Sequence, residues 1–201
     1  MSQDISQQKD WLSAWKIFYE PEKNLEKIDP NAVSISSVDS DGMPNNRIVL
    51  LKDVTQEGFL FYTNYQSQKG KELFANGKGA ITWWSRAQHK SVRAQGLISK
   101  VDEKTSDDYF ASRSREAQIS ASISKQSEIL KSREKLEQEW NDFKEKHEGQ
   151  DIKRPEHWGG IYLKPNRVEF WQSTKDYSSR LHDRVVFRLE SSTWVTERLY
   201  P

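Results

Sequence analysis

The chain has 201 residues, 30% of them charged and 34% hydrophobic, with a formal net charge of +1 and no cysteine. That length suits one domain, near-neutrality gives no global reason to expect nucleic acid or an anionic membrane as partner, and the missing thiols exclude disulfides and thiolate metal sites. No apolar run approaches the roughly 18 residues needed to cross a bilayer, and Met1-Ser2-Gln3-Asp4 lacks the basic-then-apolar form of a secretory signal, so a soluble cytoplasmic protein is expected.

Residues 4–20 read as a helix capped by Asp4, with Trp11, Leu12, Trp15 and Phe18 on its apolar side and Pro21 ending it. Strands are expected at 31–39, 47–53 and 59–64, separated by turn signals at Asp41-Gly42 and Glu57-Gly58. A short helix at 67–75 stops at Asn76-Gly77, and strands follow at 80–85 and 90–101. Three helical pieces occupy 103–112, 116–124 and 127–147. After a polar loop, strands return at 160–163, 167–172, 180–189 and 193–199. Short hairpin-linked strands with grouped helices predict an α+β, mainly β fold, an antiparallel barrel of Greek-key type flanked by helices. No G-x-G-x-x-G is present, which argues against a Rossmann nucleotide site.

Three stretches carry candidate chemistry. In Arg180-Leu181-His182-Asp183-Arg184, an extended backbone would put both arginines and the histidine on one face. Such a face suits an anion, since guanidinium offers a planar fork of donors; a solvated edge strand fits equally well. Arg47-Ile48-Val49-Leu50-Leu51-Lys52 reads most simply as a buried strand with charged ends. Ser67-Gln68-Lys69-Gly70 opens a helix whose free N–H groups, hydroxyl and lysine would cradle a phosphate, although capped helices with an early lysine are common. Trp83-Trp84 is expected to serve core and interface packing. His89, His147 and His157 are too scattered to form a metal site, so no metal is expected.

Taken in order, R-x-V-L-L-K, F-Y-T-N-Y-x-S-x-K-G, Y-F-x-S-R, S-K-Q-S, E-F-W-Q and R-L-H-D-R resemble the pyridoxine (pyridoxamine) 5'-phosphate oxidase family, from about residue 30 to the closing Glu197-Arg198-Leu199-Tyr200-Pro201. The resemblance implies a single FMN-binding split-barrel domain over 1–201, with an N-terminal helix at 4–20 and a helical insert at about 103–147. It implies a homodimer with FMN at the subunit interface, and oxidation of pyridoxamine or pyridoxine 5'-phosphate to pyridoxal 5'-phosphate, with dioxygen reduced to hydrogen peroxide. It assigns the flavin to Arg47, Ile48, Val49, Leu50, Leu51, Lys52, Tyr62, Thr63, Lys69, Ser91, Gln126, Ser127, Trp171 and Arg184. It assigns the phosphorylated substrate to Lys52, Tyr109, Arg113, Arg180, Leu181 and His182, with Arg180 and His182 over the reacting ring. His182 is read as a hydrogen-bonding clamp rather than a base, because hydride transfer depends first on stacking geometry.

The chain departs from the family pattern at Gln68, where an arginine is usual, at Ser91 in place of a glutamine, and at Ala117 in place of a serine. About three extra residues lie within 173–179. Two alternatives accompany the departures: a related split-barrel flavoenzyme with another substrate, or a non-catalytic flavin-, heme- or pyridoxal-phosphate-binding protein.

Overall fold

Buried and exposed positions alternate along β1 (Ala32–Val38), β4 (Lys78–Ser85) and most of β5 (Lys90–Lys100), as sheets with one face on a core require. The computed structural model describes residues 4–174 and 178–201. Its other strands are β2 (Pro44–Thr55), β3 (Gly58–Asn64), β6 (Trp158–Gln172), β7 (Asp183–Glu190) and β8 (Thr193–Leu199). The order in the sheet is β3-β2-β1-β4-β5-β6-β7-β8, and a further pairing of β3 with β6 closes the first six strands into an antiparallel barrel. β1, β2 and β3 follow one another, and β4 returns beside β1, which is the Greek-key order. The expected α+β, mainly β barrel is therefore what the chain forms.

The helices are α1 (Trp11–Tyr19), α2 (Glu22–Leu25), α3 (Gln68–Asn76), α4 (Glu103–Ala111), α5 (Arg115–Ile123) and α6 (Arg133–Lys146). α1 plugs the barrel with aromatic rings: Trp11 lies 5.1 Å from Phe59, Trp15 5.5 Å from Trp83 and Phe18 5.2 Å from Phe170. The ring edges and faces meet at tilted or perpendicular angles, the arrangement favoured by aromatic quadrupoles. A second, smaller cluster of Phe110, Ile119, Ala121, Ile152 and Trp158 fixes α4 and α5 against the barrel wall.

Three expectations need correction. The helix expected over 4–20 is a 3-10 turn at Ile5–Gln7 followed by α1, because Asp10 has an extended backbone and takes the Ser13 N–H as a new cap. At its other end α1 stops at Tyr19, just before Pro21 as expected, and Pro21 then precedes the short α2. The helix expected from residue 127 begins at Arg133, since Ser127 has φ +75° and Ser132 supplies the cap. The strands expected at 160–163 and 167–172 are one, β6. Pro165, which has no N–H to donate, is accommodated opposite Gly96 at a bulge between Gln95 and Gly96.

Gly96 is forced at that bulge. A Cβ there would lie 1.9 Å from the Lys164 carbonyl oxygen, and backbone on both sides cannot yield as a flexible side chain would. Gly96→Ala is expected to lower stability by roughly 1–3 kcal/mol, read as a lower urea midpoint with an unchanged slope; an unchanged midpoint would contradict the steric account.

Candidate active site

A cavity of about 500 Å³ opens between β2, the end of β3 and helices α4 and α5. One wall is flat and aromatic. Tyr62 stacks on Tyr109 at 3.8 Å and on Trp158 at 5.4 Å, and the Arg113 guanidinium lies 4.5 Å over the Trp158 ring. Strand pairing explains the wall: Tyr62 sits opposite Gly160 in the β3–β6 ladder, two positions from the Asn64↔Trp158 pair. Arg154 steadies Trp158 by donating to its carbonyl oxygen at 2.8 Å while pairing with Asp107 at 2.6 Å. Burial, with Tyr109 beside it, pushes the Tyr62 phenol up to about 12, so it is a neutral donor at physiological pH.

The polar lining is cationic. Lys52, Lys69 and Arg113 border the cavity, and no carboxylate is among its described lining residues. Ser67 caps α3 and thereby buries Lys69 in the first turn, at only 9% exposure. The Lys69 Nζ donates to Thr63 Oγ1 at 2.9 Å, Gln126 Oε1 at 2.8 Å and Ser67 Oγ at 3.3 Å, all of them neutral. Burial, with the nearby Arg47 charge second, pushes this amine down to about 8. Arg113 is likewise pushed below its ordinary value by burial, and its Nη1 is buried with no hydrogen-bond partner. Uncompensated buried cations are costly, and such groups concentrate where a ligand supplies the missing charge.

Arg47 is close enough to depress Lys69 but is itself engaged. Its guanidinium donates to Ser37 and pairs with Glu72 at 3.4 Å, and the Glu72 carboxylate also accepts from Asn45 at 2.8 Å. Gln68, which stands where the resemblance predicts an arginine, lies on the Glu72 side of the turn and helps to hold that carboxyl below its ordinary value against burial. Glu72 is thus an acidic neighbour of the turn at 67–70 that has no counterpart among the expected site residues.

A second group of expected site residues lies elsewhere on the chain. Ser91 pairs with Trp171 across β5–β6, and Trp171 pairs with Arg184 across β6–β7. With Trp84, Arg93, Glu169 and Pro201 these residues border an open groove of about 400 Å³. Buried Glu169 organises it, accepting from Arg93 at 2.7 Å, Arg167 at 2.8 Å and Arg184 at 2.9 Å. Burial alone would raise the Glu169 carboxyl, but the bonds from Arg93 and Arg184 outweigh it and hold the group below the ordinary carboxylate range. The His182 ring packs 4.8 Å from Trp171, with Nδ1 buried and unpartnered. Leu181 and His182 edge a neighbouring groove of about 660 Å³ together with Arg198 and Tyr200.

The expected Arg180-His182-Arg184 strand face does not form. Arg180 has φ +52°, a backbone state outside the strand region, the His182 N–H turns back to the Arg180 carbonyl at 2.8 Å, and β7 begins only at Asp183. Leu51 faces the barrel core rather than the cavity, and Ser127 is exposed and outside the cavity wall. Ile48, Val49, Leu50, Lys52, Tyr62, Thr63, Lys69, Tyr109, Arg113 and Gln126 do meet at one cavity. The insert expected within 173–179 falls partly outside the described residues. Trp83 is buried in the core as expected, whereas Trp84 is exposed on the groove. Among the described residues no group of three His, Asp or Glu side chains is placed to hold a metal, and no helix is long and apolar enough to cross a membrane.

Two family models match the chain: pyridoxamine 5'-phosphate oxidase over residues 21–147, and the pyridoxine 5'-phosphate oxidase C-terminal dimerisation region over residues 158–201. The pyridoxine/pyridoxamine 5'-phosphate oxidase of Nostoc punctiforme is 45% identical over 174 residues, covering 86% of this chain and 80% of its own. That of Brucella anthropi is 43% identical over 194 residues, covering 96% of this chain and 91% of its own. Among solved structures, PhzG from Burkholderia lata, in complex with tetrahydrophenazine-1-carboxylic acid, superposes with a TM-score of 0.92 at 24% identity, covering all of this chain and 98% of its own. An FMN-binding protein of Nostoc punctiforme related to pyridoxamine 5'-phosphate oxidase superposes with a TM-score of 0.75 at 14% identity, over 98% of this chain and all of its own. These two structures establish the shared fold alone. With both halves matched in order and close relatives along nearly its whole length, the chain belongs to the pyridoxine/pyridoxamine 5'-phosphate oxidase family of oxidoreductases.

Proposed function

We propose that the chain catalyses FMN-dependent oxidation of pyridoxamine 5'-phosphate and pyridoxine 5'-phosphate to pyridoxal 5'-phosphate, working in the cytoplasm as a homodimer with FMN at the subunit interface. The observation that carries this reading is the carboxylate-free cavity bordered by Lys52, Lys69 and Arg113. It fits two phosphorylated ligands. Lys69 is buried among neutral partners, and Arg113 presents a buried guanidinium nitrogen with none, so both lack the anion that would offset their burial.

In this reading Lys69, Thr63 and Gln126 hold the flavin phosphate, with Arg47 adding positive potential from behind its Glu72 pair. Lys52, Tyr109 and Arg113 receive the substrate phosphate, and the Tyr62 wall orients flat rings. Bound FMN supplies the hydride acceptor, which dioxygen regenerates with release of hydrogen peroxide. Ser91, Trp171 and Arg184 complete the flavin site, while Arg180 and His182 cover the substrate ring. His182 acts as a clamp, since its ring is packed on Trp171.

Strand geometry supports the homodimer reading. Trp158 borders the cavity and Trp171 the groove, and they stand at opposite ends of β6. At 3.2–3.4 Å per residue their separation along the strand is roughly 40 Å, too far for one small ligand to touch both in a single chain. A second copy can bring its groove to the first copy's cavity, and the C-terminal segment matching a dimerisation region contains Trp171, Arg180, His182 and Arg184.

The direct test supplies purified protein with FMN, air and each phosphorylated vitamer. Expected are a bound flavin spectrum, pyridoxal 5'-phosphate formation and equimolar peroxide. Flavin uptake without turnover of either vitamer would point to another substrate, and no flavin uptake would remove the flavoenzyme reading.

Lys69 gives a pH signature. A cation at this position favours phosphate binding, and its pKa of about 8 in the free protein sets where that charge begins to be lost. FMN affinity is expected to be level from pH 7 to about 8 and to fall by up to about tenfold per pH unit above it. Lys69→Met should bind FMN more weakly with a flat profile. Fluorescence titration of FMN checks both, and parallel profiles for the two proteins would refute the assignment.

Arg113→Ala is expected to reduce kcat/KM for the phosphorylated vitamers by roughly 10- to 100-fold, the worth of a lost charged hydrogen bond, with FMN affinity little changed. Equal losses in steady-state kinetics and in flavin binding would contradict its separate role.

A further inference from the structure

We propose that Ser120 supplies the hydroxyl contact to the substrate phosphate that Ala117 cannot make, held in position by Trp140 of α6. This inference rests on the functional reading above and deepens its phosphate subsite. α5 begins just after Arg113, and its hydroxyls have separate duties. Ser114 caps the helix by accepting the Ala117 N–H at 3.3 Å, and Ser122 donates back to the Gln118 carbonyl at 2.9 Å. Ser120 lies one turn beyond Ala117 on the same side of the helix. Ser120 borders the cavity together with Arg113 and Lys52, whereas Ala117 is not among its walls.

The Ser120 hydroxyl is also oriented for donation. Trp140 Nε1 donates to Ser120 Oγ at 3.2 Å. An indole N–H can only donate, so it occupies a lone pair on the oxygen and leaves the hydroxyl proton for another acceptor. The cavity holds the buried, unpartnered Arg113 Nη1, which calls for an anion in the same place. A phosphoryl group presents three terminal oxygens. Arg113 can fork onto them, Lys52 can contribute a point charge, and Ser120 can donate a neutral hydrogen bond. Moving a hydroxyl by one helical turn thus restores a contact that Ala117 removes. It also gives α6, which has no fully buried residue, a task beyond packing on α5: Trp140 is a positioning residue for Ser120.

The test measures, on FMN-loaded protein, the equilibrium dissociation constants of pyridoxal 5'-phosphate and of unphosphorylated pyridoxal, together with KM for pyridoxamine 5'-phosphate. Ser120→Ala is expected to weaken both phosphorylated compounds by about tenfold, leaving pyridoxal and FMN affinities unchanged, while Ser120→Thr stays close to the parent protein. Trp140→Phe, which keeps the ring and loses the N–H, should weaken the phosphorylated ligands severalfold. Unchanged binding of pyridoxal 5'-phosphate by Ser120→Ala overturns the proposal, as does equal weakening of phosphorylated and unphosphorylated ligands, which would mark a purely structural role. If the parent protein does not prefer pyridoxal 5'-phosphate over pyridoxal, the phosphate subsite itself falls, and Ser120's role falls with it.

Discussion

β3 and the first half of β6 pair from Phe59↔Leu163 to Asn64↔Trp158, and this ladder closes the barrel. Side chains pack closely on this part of β6: a Cβ at Gly159 would lie 2.1 Å from the Tyr65 hydroxyl, and one at Gly160 2.7 Å from a Val101 methyl. Closure brings Tyr62 to Trp158 and lets α4 and α5 settle over the seam through Phe110, Ile119 and Trp158. The ladder ends at Asn64, three residues before the Ser67 cap that starts α3 and places Lys69 in its buried first turn. Strand pairing, helix capping and a buried cation follow one another along this stretch of chain.

The electrostatic pattern separates structural from functional charge. On the groove side one buried carboxylate, Glu169, supplies the counter-charge for Arg93, Arg167 and Arg184, although Arg167 Nη1 is itself buried without a hydrogen-bond partner. Behind the turn at 67–70 Glu72 engages Arg47. Buried ion pairs of this kind fix geometry more than they add stability, because desolvation offsets much of the attraction. At the cavity the same chain leaves Lys69 with neutral partners only and Arg113 with an unpartnered nitrogen. Since acids are available to it elsewhere, that imbalance is a property of the site. The departures at Gln68 and Ala117 read consistently: Gln68 joins the Glu72 network, and the hydroxyl missing at Ala117 has a neighbour one turn away at Ser120.

Much of this was legible in the sequence. Turn signals and apolar runs marked most strands, and the Ser67 cap placed Lys69 in a first turn. A barrel was legible, but which strands close it was not, because the β3–β6 register depends on packing between distant segments. Arg180 was misread for a different reason: i, i+2 spacing implies a shared face only where the backbone is extended, and its left-handed φ breaks that premise. The N-terminal helix was overextended because Asp4 is a plausible cap, while Asp10, the working cap, sits within the apolar pattern. Ser120 carried a usable signal in its i+3 spacing from Ala117, and Glu169 one in its position two residues before Trp171. Neither could be weighted without knowing which side of its element faced a ligand.

The central claim is that this cavity recognises a phosphoryl group through unpaired cations. Its most direct test compares the affinities of FMN and riboflavin, which share the ring and differ in the phosphate. The account predicts FMN bound at least roughly 100-fold more tightly, the worth of two or more charged contacts. Equal affinities would show that the flavin phosphate is not what Lys69 and its neighbours hold.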